Sequence, residues 1–185
     1  MSWKEIINKY YDSNPKLKEI LVSHSKSVAD KALTLAVAHK ELPIDTDFLY
    51  EAAMLHDIGI VRTNARGIEC YGDKPYICHG ILGAEMLRAE GMDKHARVCE
   101  RHTGAGLSCA EIVKQNLPLP HADFLPETLE EQLICYADKF FSKTHTDREK
   151  TLEQAERSVS KHGEEGLFAE SNLLTQQTRR RFCSS

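Results

Sequence analysis

Apolar residues recur at helical spacing along most of this sequence. Between residues 15 and 39, leucine and valine side chains fall on one side of a helix with 3.6 residues per turn: Leu17, Leu21, Val28 and Leu35. The sequence shows no clear strand alternation, no internal repeat and no low-complexity tract. We therefore predict an all-α fold, in which this segment, Pro15 to His39, is one long amphipathic helix.

The same spacing, together with capping residues and helix stops, predicts the remaining helices. They are Phe48 to about Asp57, His79 to Glu90, Asp93 to about His102, a short helix after Ser108, one opening at Thr128, Arg148 to His162, and Glu164 to Phe182. Ser108 and Glu111 have the spacing of a capping box, and so do Thr128 and Glu131. The stretch from Ile60 to Cys78 has no sustained period. We interpret it as a long loop, and loops of that length in compact domains tend to be functional.

Length and charge predict a single domain with no general electrostatic attraction to nucleic acid or membranes. A chain of 185 residues falls in the usual size range of one domain. We expect residues 1–185 to form that domain, with a core at 15–145 and C-terminal helices at 146–182 packed on it. The formal net charge of −4 gives no electrostatic reason to expect binding to nucleic acid or to an anionic membrane. Because no signal peptide or membrane-length apolar run is present, we predict a cytoplasmic location.

Histidine and aspartate residues on apolar helix faces form the candidate chemical site. A single histidine in such a place is more often a hydrogen-bonded core residue than a metal ligand. Asp57, however, directly follows an apolar run, and a buried carboxylate is costly unless it is paired or bound to metal. Four imidazoles and two carboxylates exceed what one metal needs, so we predict two metals. The candidate ligands are His24, His56, Asp57, His79, His102 and Asp138.

The order of these residues resembles the HD superfamily of metal-dependent phosphohydrolases. Residues 56–59 read His-Asp-Ile-Gly, the HDIG signature of its small prokaryotic members. Residues 102–106, 125–131 and 136–139 are similar to a stand-alone HDIG subgroup, and the resemblance covers roughly residues 24–143. It implies a helical bundle with the metals between the helices. Ile60 stands where cyclic-dinucleotide phosphodiesterases carry lysine, and no Gly-Tyr-Pro motif is present, which argues against the cyclic-di-GMP branch.

The family pattern implies a division of the ligands between two divalent ions. The first ion is assigned to His24, His56, Asp57 and Asp138, and the second to His79 and His102. Asp57 would bridge the ions and is the predicted catalytic residue, while a hydroxide shared by both ions would attack phosphorus. Iron, manganese, zinc and nickel all suit such nitrogen and oxygen ligands. Arg62 and Lys139 are the predicted substrate-binding residues, although solvated lysines and arginines are the commoner case.

We therefore expect a hydrolase acting on a phosphomonoester or phosphodiester, either a nucleotide or another small phosphorylated metabolite. Two other functions stay open from the sequence. Diiron oxygenases within the same superfamily use this order of ligands to activate oxygen, and a nucleotide-sensing module could keep the ligands without turnover. The sequence does not indicate the oligomeric state.

Overall fold

The computed structural model describes residues 1–104, 106–144 and 148–155 and confirms the predicted all-α class. Its elements in chain order are α1 (Trp3–Tyr11), α2 (Pro15–Ala38), α3 (Thr46–Leu55), β1 (Asn64–Ala65), β2 (Cys70–Tyr71), α4 (His79–Ala89), α5 (Asp93–Arg101), α6 (Cys109–Lys114) and α7 (Leu129–Asp138). Short 3₁₀ helices cover Ile58–Arg62, Arg66–Ile68 and Tyr76–Cys78. No helix in the described part of the chain is both long and apolar enough to cross a membrane.

Helix α2 is the central element of the bundle. Asn14 caps its start by accepting a hydrogen bond from the backbone N–H of Leu17, and Pro15 occupies the first turn, where its missing N–H costs nothing. The first half of α2 packs into a buried cluster with α1 and α4, through residues such as Leu21. The second half packs against α3 and α7, through residues such as Val28. His24 lies between these two halves, inside the protein.

Helix α3 starts and ends two residues earlier than predicted. The side chain of Asp45 accepts a hydrogen bond from the N–H of Phe48 at 3.0 Å, which sets the start at Thr46. The helix ends at Leu55, and Asp57 has left helical geometry with φ −104° and ψ 12°. Asp57 therefore lies in a turn beyond the helix end, where its side chain can point in a direction that the helix would not allow.

Gly59 allows this turn to pack directly on α4. A Cβ atom at Gly59 would lie 2.1 Å from the carbonyl oxygen of His79 and 2.3 Å from the amide nitrogen of Gly83. Gly59 lies inside the 3₁₀ helix Ile58–Arg62. The backbones of the turn and of α4 approach each other so closely at Gly59 that a side chain would not fit between them.

The predicted loop from Ile60 to Cys78 contains local structure that the sequence pattern does not indicate. Strands β1 and β2 pair antiparallel, with Asn64 opposite Tyr71 and Ala65 opposite Cys70. Each strand has only two residues, so no alternation could develop.

Helix α1, which was not predicted, supports the start of this segment. The buried hydroxyl of Tyr11 donates to the carbonyl of Ile58 at 2.7 Å and accepts from the N–H of Val61 at 3.3 Å. The helix itself opens with a capping box of Ser2 and Glu5. Tyr11 thereby satisfies backbone groups of the turn that carries Asp57.

Two of the predicted helix starts have the capping interactions that the sequence indicates. The capping boxes predicted at Ser108 and Thr128 are both formed, at the starts of α6 and α7. The two helices predicted at 148–162 and 164–182 lie outside the described residues, except for residues 148–155. The predicted start at Arg148 is wrong, because residues 148–151 are not helical and the helix begins at residue 152. In that short segment Ala155 is buried against Tyr136 and Phe140, beside α7. The division into one domain at 1–185 stays a prediction.

Candidate metal centre

The structure brings all six predicted ligand side chains together between the helices. His24 comes from the middle of α2, while His56 and Asp57 follow the end of α3. His79 is the first residue of α4, His102 directly follows α5, and Asp138 is the last residue of α7. Helix ends thus supply most of the site. The imidazoles and Asp57 are buried, and Asp138 is partly exposed.

Two overlapping groups of these residues could each hold a metal ion. In the first group, Nε2 of His24 lies 3.2 Å from Oδ2 of Asp57 and 2.9 Å from Oδ1 of Asp138. Nε2 of His56 lies 3.0 Å from the same Asp57 oxygen and 3.5 Å from the same Asp138 oxygen. Two imidazole nitrogens and two carboxylate oxygens therefore surround one point.

The second group meets the other oxygen of Asp57. Oδ1 of Asp57 lies 3.5 Å from Nε2 of His79 and 3.4 Å from Nε2 of His102. The two imidazole nitrogens lie 3.1 Å from each other. The two oxygens of Asp57 are thus divided between the two groups, which is the arrangement that a bridging carboxylate requires.

Backbone carbonyls orient three of the imidazole rings. Nδ1 of His56 lies 2.7 Å from the carbonyl oxygen of Ala53, three residues earlier. His79 and His102 repeat this geometry, each at 2.7 Å from the carbonyl three residues before it. Because a carbonyl oxygen only accepts hydrogen bonds, Nδ1 must carry the proton in each ring. A ring that carries no second proton on Nε2 then presents the lone pair of that nitrogen to the centre of the site, as a metal ligand does.

The donor set fits metal ions. Among the described residues, Nε2 of His24, Nε2 of His56 and Oδ1 of Asp57 are buried without a hydrogen-bond partner, while Oδ2 of Asp57 meets the ammonium of Lys143 at 2.6 Å. Such groups are costly to bury unless a cation satisfies them. Two ligand atoms at about 2.1 Å from one ion lie about 3.0–3.4 Å apart, which agrees closely with the observed spacings. The cluster of histidine and aspartate residues could therefore bind metal ions, as the sequence predicts.

Electrostatics keeps both carboxylates ionised. Burial alone would raise the pKa of Asp57, but the ammonium of Lys143 and the imidazole of His56 hold that pKa well below its usual range. Lys143, with His24, has the same effect on the pKa of Asp138. Burial, followed by the neighbouring His102, lowers the pKa of His79 to about 3, so its ring is neutral at ordinary pH.

His56 responds to the same carboxylates in the opposite direction. Burial opposes charge on the ring, but the adjacent carboxylates of Asp57 and Asp138 outweigh it and raise the pKa of His56 to about 10. Without a metal, the ring therefore holds an extra proton at neutral pH. A metal ion that binds its Nε2 must displace that proton, which couples metal binding to proton release.

Comparison with known proteins identifies the family to which this chain belongs. The family model described as HD domain matches residues 21–142, a range that includes all six candidate ligands. The chain belongs to the HD domain family. No solved structure matches it significantly.

Several curated proteins are similar to this HD domain. An uncharacterized protein of Methanocaldococcus jannaschii is 36% identical over 148 residues, which are 78% of this chain and 80% of that protein. A tRNA (cytidine(56)-2'-O)-methyltransferase of Thermoplasma volcanium is 35% identical over 146 residues, 78% of this chain but 38% of the relative. A protein of the same name from Picrophilus torridus is 35% identical over 125 residues, 67% of this chain and 32% of the relative. The chain thus spans about a third of the length of each of the two methyltransferases.

A cavity opens beside the ligands of this HD domain, and we call it the hairpin cavity. Its volume is about 430 Å³. It is lined by Ala65, Gly67, Ile68, Tyr76, Asp138, Phe141, Ser142, Lys143 and Thr144. Because the candidate ligand Asp138 forms part of the wall, a molecule in this cavity would lie beside one ligand of the metal centre.

Neither predicted substrate-binding residue lines the hairpin cavity. The guanidinium of Arg62 lies 3.8 Å from a carboxylate oxygen of Glu85 on α4, and its side chain is 46% exposed. Lys139 follows α7 and is buried. Burial lowers the pKa of its ammonium, against the opposing influence of Cys135 and Asp138. Arg62 and Lys139 therefore do not contribute to the wall of this cavity, and their role in substrate binding stays a prediction.

Lys143 reaches the metal centre, and the sequence analysis did not identify it. Its Nζ lies 2.6 Å from Oδ2 of Asp57, and its side chain is 13% exposed. It also lies 6.0 Å from the centroid of the Tyr76 ring. Helix α7 ends at Asp138, so helical spacing gives no signal for a residue five positions later. The one available hint was a lysine in an aromatic segment shortly after a candidate ligand.

Proposed function

We propose that this HD domain is a metal-dependent phosphohydrolase that cleaves a phosphomonoester or phosphodiester with a dinuclear metal centre. One observation carries the proposal, namely the division of the two Asp57 oxygens between two groups of imidazole ligands. A shared carboxylate holds two ions close together, the spacing used by hydrolases that displace a group at phosphorus.

The residues of the chain would prepare this site for hydrolysis. His24, His56, Asp57 and Asp138 would hold the first ion, and Asp57, His79 and His102 the second. The three Nδ1 hydrogen bonds to carbonyls fix the direction of the His56, His79 and His102 rings before any ion binds. When bound, the two ions supply Lewis acidity and lower the pKa of water towards neutrality. With that chemistry, no serine or cysteine nucleophile is required.

The substrate we propose is small. The hairpin cavity has a volume of about 430 Å³, near the lower end of the range for small-molecule sites, which is about 300–1,000 Å³. This supports a nucleotide or another small phosphorylated metabolite. The formal net charge of −4 gives no general attraction to nucleic acid or to an anionic membrane surface. We also propose a cytoplasmic location.

The identity of the metals is part of the proposal. Four imidazoles with two carboxylates suit iron, manganese, zinc and nickel, and affinity alone does not distinguish them. We propose two ions in the active protein, because each group on its own contains at least three ligand residues.

A panel of phosphorylated substrates, assayed with protein carrying defined metals, tests the proposal. It should contain phosphomonoesters, phosphodiesters and RNA ending in a phosphate, since two relatives carry the name of a tRNA-modifying enzyme. We expect metal-dependent release of phosphate or cleavage of a diester, abolished in Asp57→Ala. No turnover on any substrate by protein with two bound ions would contradict the proposal. Oxygen consumption by the iron form would favour the oxygenase, and nucleotide binding without turnover would favour a sensor.

A further inference from the structure

The ammonium of Lys143 is a largely buried charge, on a side chain that is 13% exposed, and the metal-ligand assignment leaves it without a function. It pairs with Oδ2 of Asp57 at 2.6 Å. A buried ammonium is costly unless an anion compensates it. If Asp57 also binds two divalent ions, its single negative charge is more than matched. Lys143 would then need a further anion in the metal-loaded protein.

The hairpin cavity is the place where that anion would arrive. Asp138 and Lys143 both line it, so a molecule in the cavity meets a metal ligand and an ammonium together. Two divalent ions and Lys143 outweigh the charges of the two carboxylates and leave that part of the cavity positive. A phosphate group is the anion expected there, since hydrolysis requires its phosphorus beside the metals.

Three other residues of the cavity wall have a different character. Ile68, Tyr76 and Phe141 present apolar or aromatic surface. The ring of Tyr76 is stacked on His79, with centroids 4.8 Å apart and an interplanar angle of 24°, which holds it in one orientation. A fixed aromatic ring in an apolar wall favours a flat or apolar group. The cavity therefore combines positive charge at Lys143 and the metal centre with apolar surface from Ile68, Tyr76 and Phe141.

We propose that Lys143 binds the phosphate of the substrate and that the wall of Ile68, Tyr76 and Phe141 holds a flat or apolar organic group attached to it. The proposal rests on the proposed hydrolysis and deepens it. It gives to Lys143 the role predicted from sequence for Arg62 and Lys139. Lys143 is here a substrate-binding residue, whose ammonium contacts the oxygens on phosphorus.

Binding of inorganic phosphate to the manganese-loaded protein tests the role of Lys143 without turnover. The variants are Lys143→Gln, the conservative Lys143→Arg, and Lys74→Gln as a control that removes an exposed charge outside the cavity wall. We expect Lys143→Gln to weaken phosphate binding at least about tenfold, the size of one lost charge-assisted hydrogen bond. Lys143→Arg should recover part of the affinity, and Lys74→Gln should match wild type. Metal content and circular dichroism should be equal in all four proteins.

Steady-state kinetics tests whether the apolar wall holds the organic group of the substrate. We expect Lys143→Gln to raise KM for both 4-nitrophenyl phosphate and glycerol phosphate, with a smaller effect on kcat. Tyr76→Leu keeps a bulky apolar side chain but removes the aromatic ring. It should raise KM for 4-nitrophenyl phosphate and leave KM for glycerol phosphate close to wild type. Equal effects of Tyr76→Leu on both esters would overturn the assignment of the apolar wall.

The possible results of these experiments test the role of Lys143 separately from the proposed hydrolysis. Phosphate affinity of Lys143→Gln within twofold of wild type, at equal metal content, would overturn the role of Lys143 even if the wild type hydrolyses esters. Loss of metal in Lys143→Gln would also overturn it, because Lys143 would then support the metal ligands. The protein could also bind phosphate in a way that depends on Lys143 and yet hydrolyse neither ester nor any other substrate of the panel. That result would support Lys143 as a phosphate-binding residue and would contradict the proposed hydrolase activity.

Discussion

Among single residues, Asp57 is the one whose side chain faces both ligand groups. Its Oδ2 lies 3.2 Å from Nε2 of His24, and its Oδ1 lies 3.4 Å from Nε2 of His102. The residue reaches this position because it lies in the turn beyond α3, with Gly59 packed against α4 just after it. A metal ion in either group would use this carboxylate.

Asp57→Ala should therefore release more metal than a nearby change that leaves both groups intact. We expect the purified Asp57→Ala protein to hold less than about half an equivalent of transition metal, because both ions lose a negatively charged ligand. Arg62→Ala is the matched control, since the Arg62 side chain pairs with Glu85 on the surface. Elemental analysis of proteins never exposed to chelator measures the difference. Equal metal content in the two variants would contradict the bridging position of Asp57.

Substitutions of His79 and His102 distinguish a site with two metal ions from a site with one. Both belong only to the second group, and both are buried, so a packing role is the competing explanation. If they are ligands, His79→Ala and His102→Ala should each lower the metal-to-protein ratio from about two towards one and suppress hydrolysis, with the helical circular dichroism kept. If they only pack, thermal stability should fall while metal ratio and activity per folded molecule stay constant. Metal analysis, circular dichroism and turnover on the same samples distinguish these results.

At the scale of elements, the site depends on how closely the turn after α3 approaches α4. Gly59 faces the carbonyl of His79 and the backbone of Gly83 at distances that leave no room for a methyl group. The same α4 turn carries the imidazole of His79. Backbone contact between turn and helix therefore sets the distance between Asp57 and His79, which is 3.5 Å between their facing atoms.

Gly59→Ala should disturb both packing and metal binding. A Cβ atom 2.1 Å from a backbone oxygen forces the turn or the helix to move, which we expect to cost about 1–3 kcal/mol of unfolding free energy. Occupancy of the second ion should fall as well, because His79 moves relative to Asp57. Gly67→Ala is the control: a Cβ there meets nothing within 4 Å, so its effect should stay within about 0.5 kcal/mol. Denaturant unfolding with metal analysis tests the pair, and equal stabilities would contradict the packing argument.

The elements that the sequence predicts well are those with strong local signals. Helix α4 begins at His79 as predicted, and the capping boxes open α6 and α7 at Ser108 and Thr128. The six candidate ligands could be selected because their order matches a family pattern and because Asp57 is costly to bury alone. The β hairpin could not be predicted, because its two-residue strands are too short for alternation. Lys143 could not be placed, because its contact with Asp57 depends on the path of the chain after α7.

At the scale of the whole molecule, the metal centre lies where two hydrophobic clusters meet. One cluster contains Leu21 of α2 together with Ile58 and residues of α1, α4 and α5. The other contains Val28 of α2 together with residues of α3, α5 and α7. His24 lies between Leu21 and Val28 in the chain, and Asp57 lies directly before Ile58. Metal ions bound at this position would connect the two clusters through their ligands.

Metal removal should therefore lower the stability of the whole described fold. A ligand that binds the folded chain at about 100 times its Kd contributes about 2.7 kcal/mol, and 1 kcal/mol shifts Tm by about 2–4 °C in a chain of this size. We expect exhaustive chelation to lower Tm by about 5–11 °C for each ion removed, with recovery when metal is added back. The ion pair of Lys143 with Asp57 should keep the metal-free protein folded at room temperature, since it compensates part of the buried negative charge.

The chelation experiment has an internal control in Asp57→Ala. Since that variant should hold little metal, chelator should shift its Tm by less than about 2 °C, whereas wild type shows the full decrease. A chelator effect of equal size in both proteins would mean that the stabilising ions bind elsewhere. A wild type that loses its metal by elemental analysis and keeps its Tm would show that the two clusters hold together without the ions. In that case the six side chains would serve chemistry alone, and the burial of Asp57 would have to be compensated by His56 and Lys143.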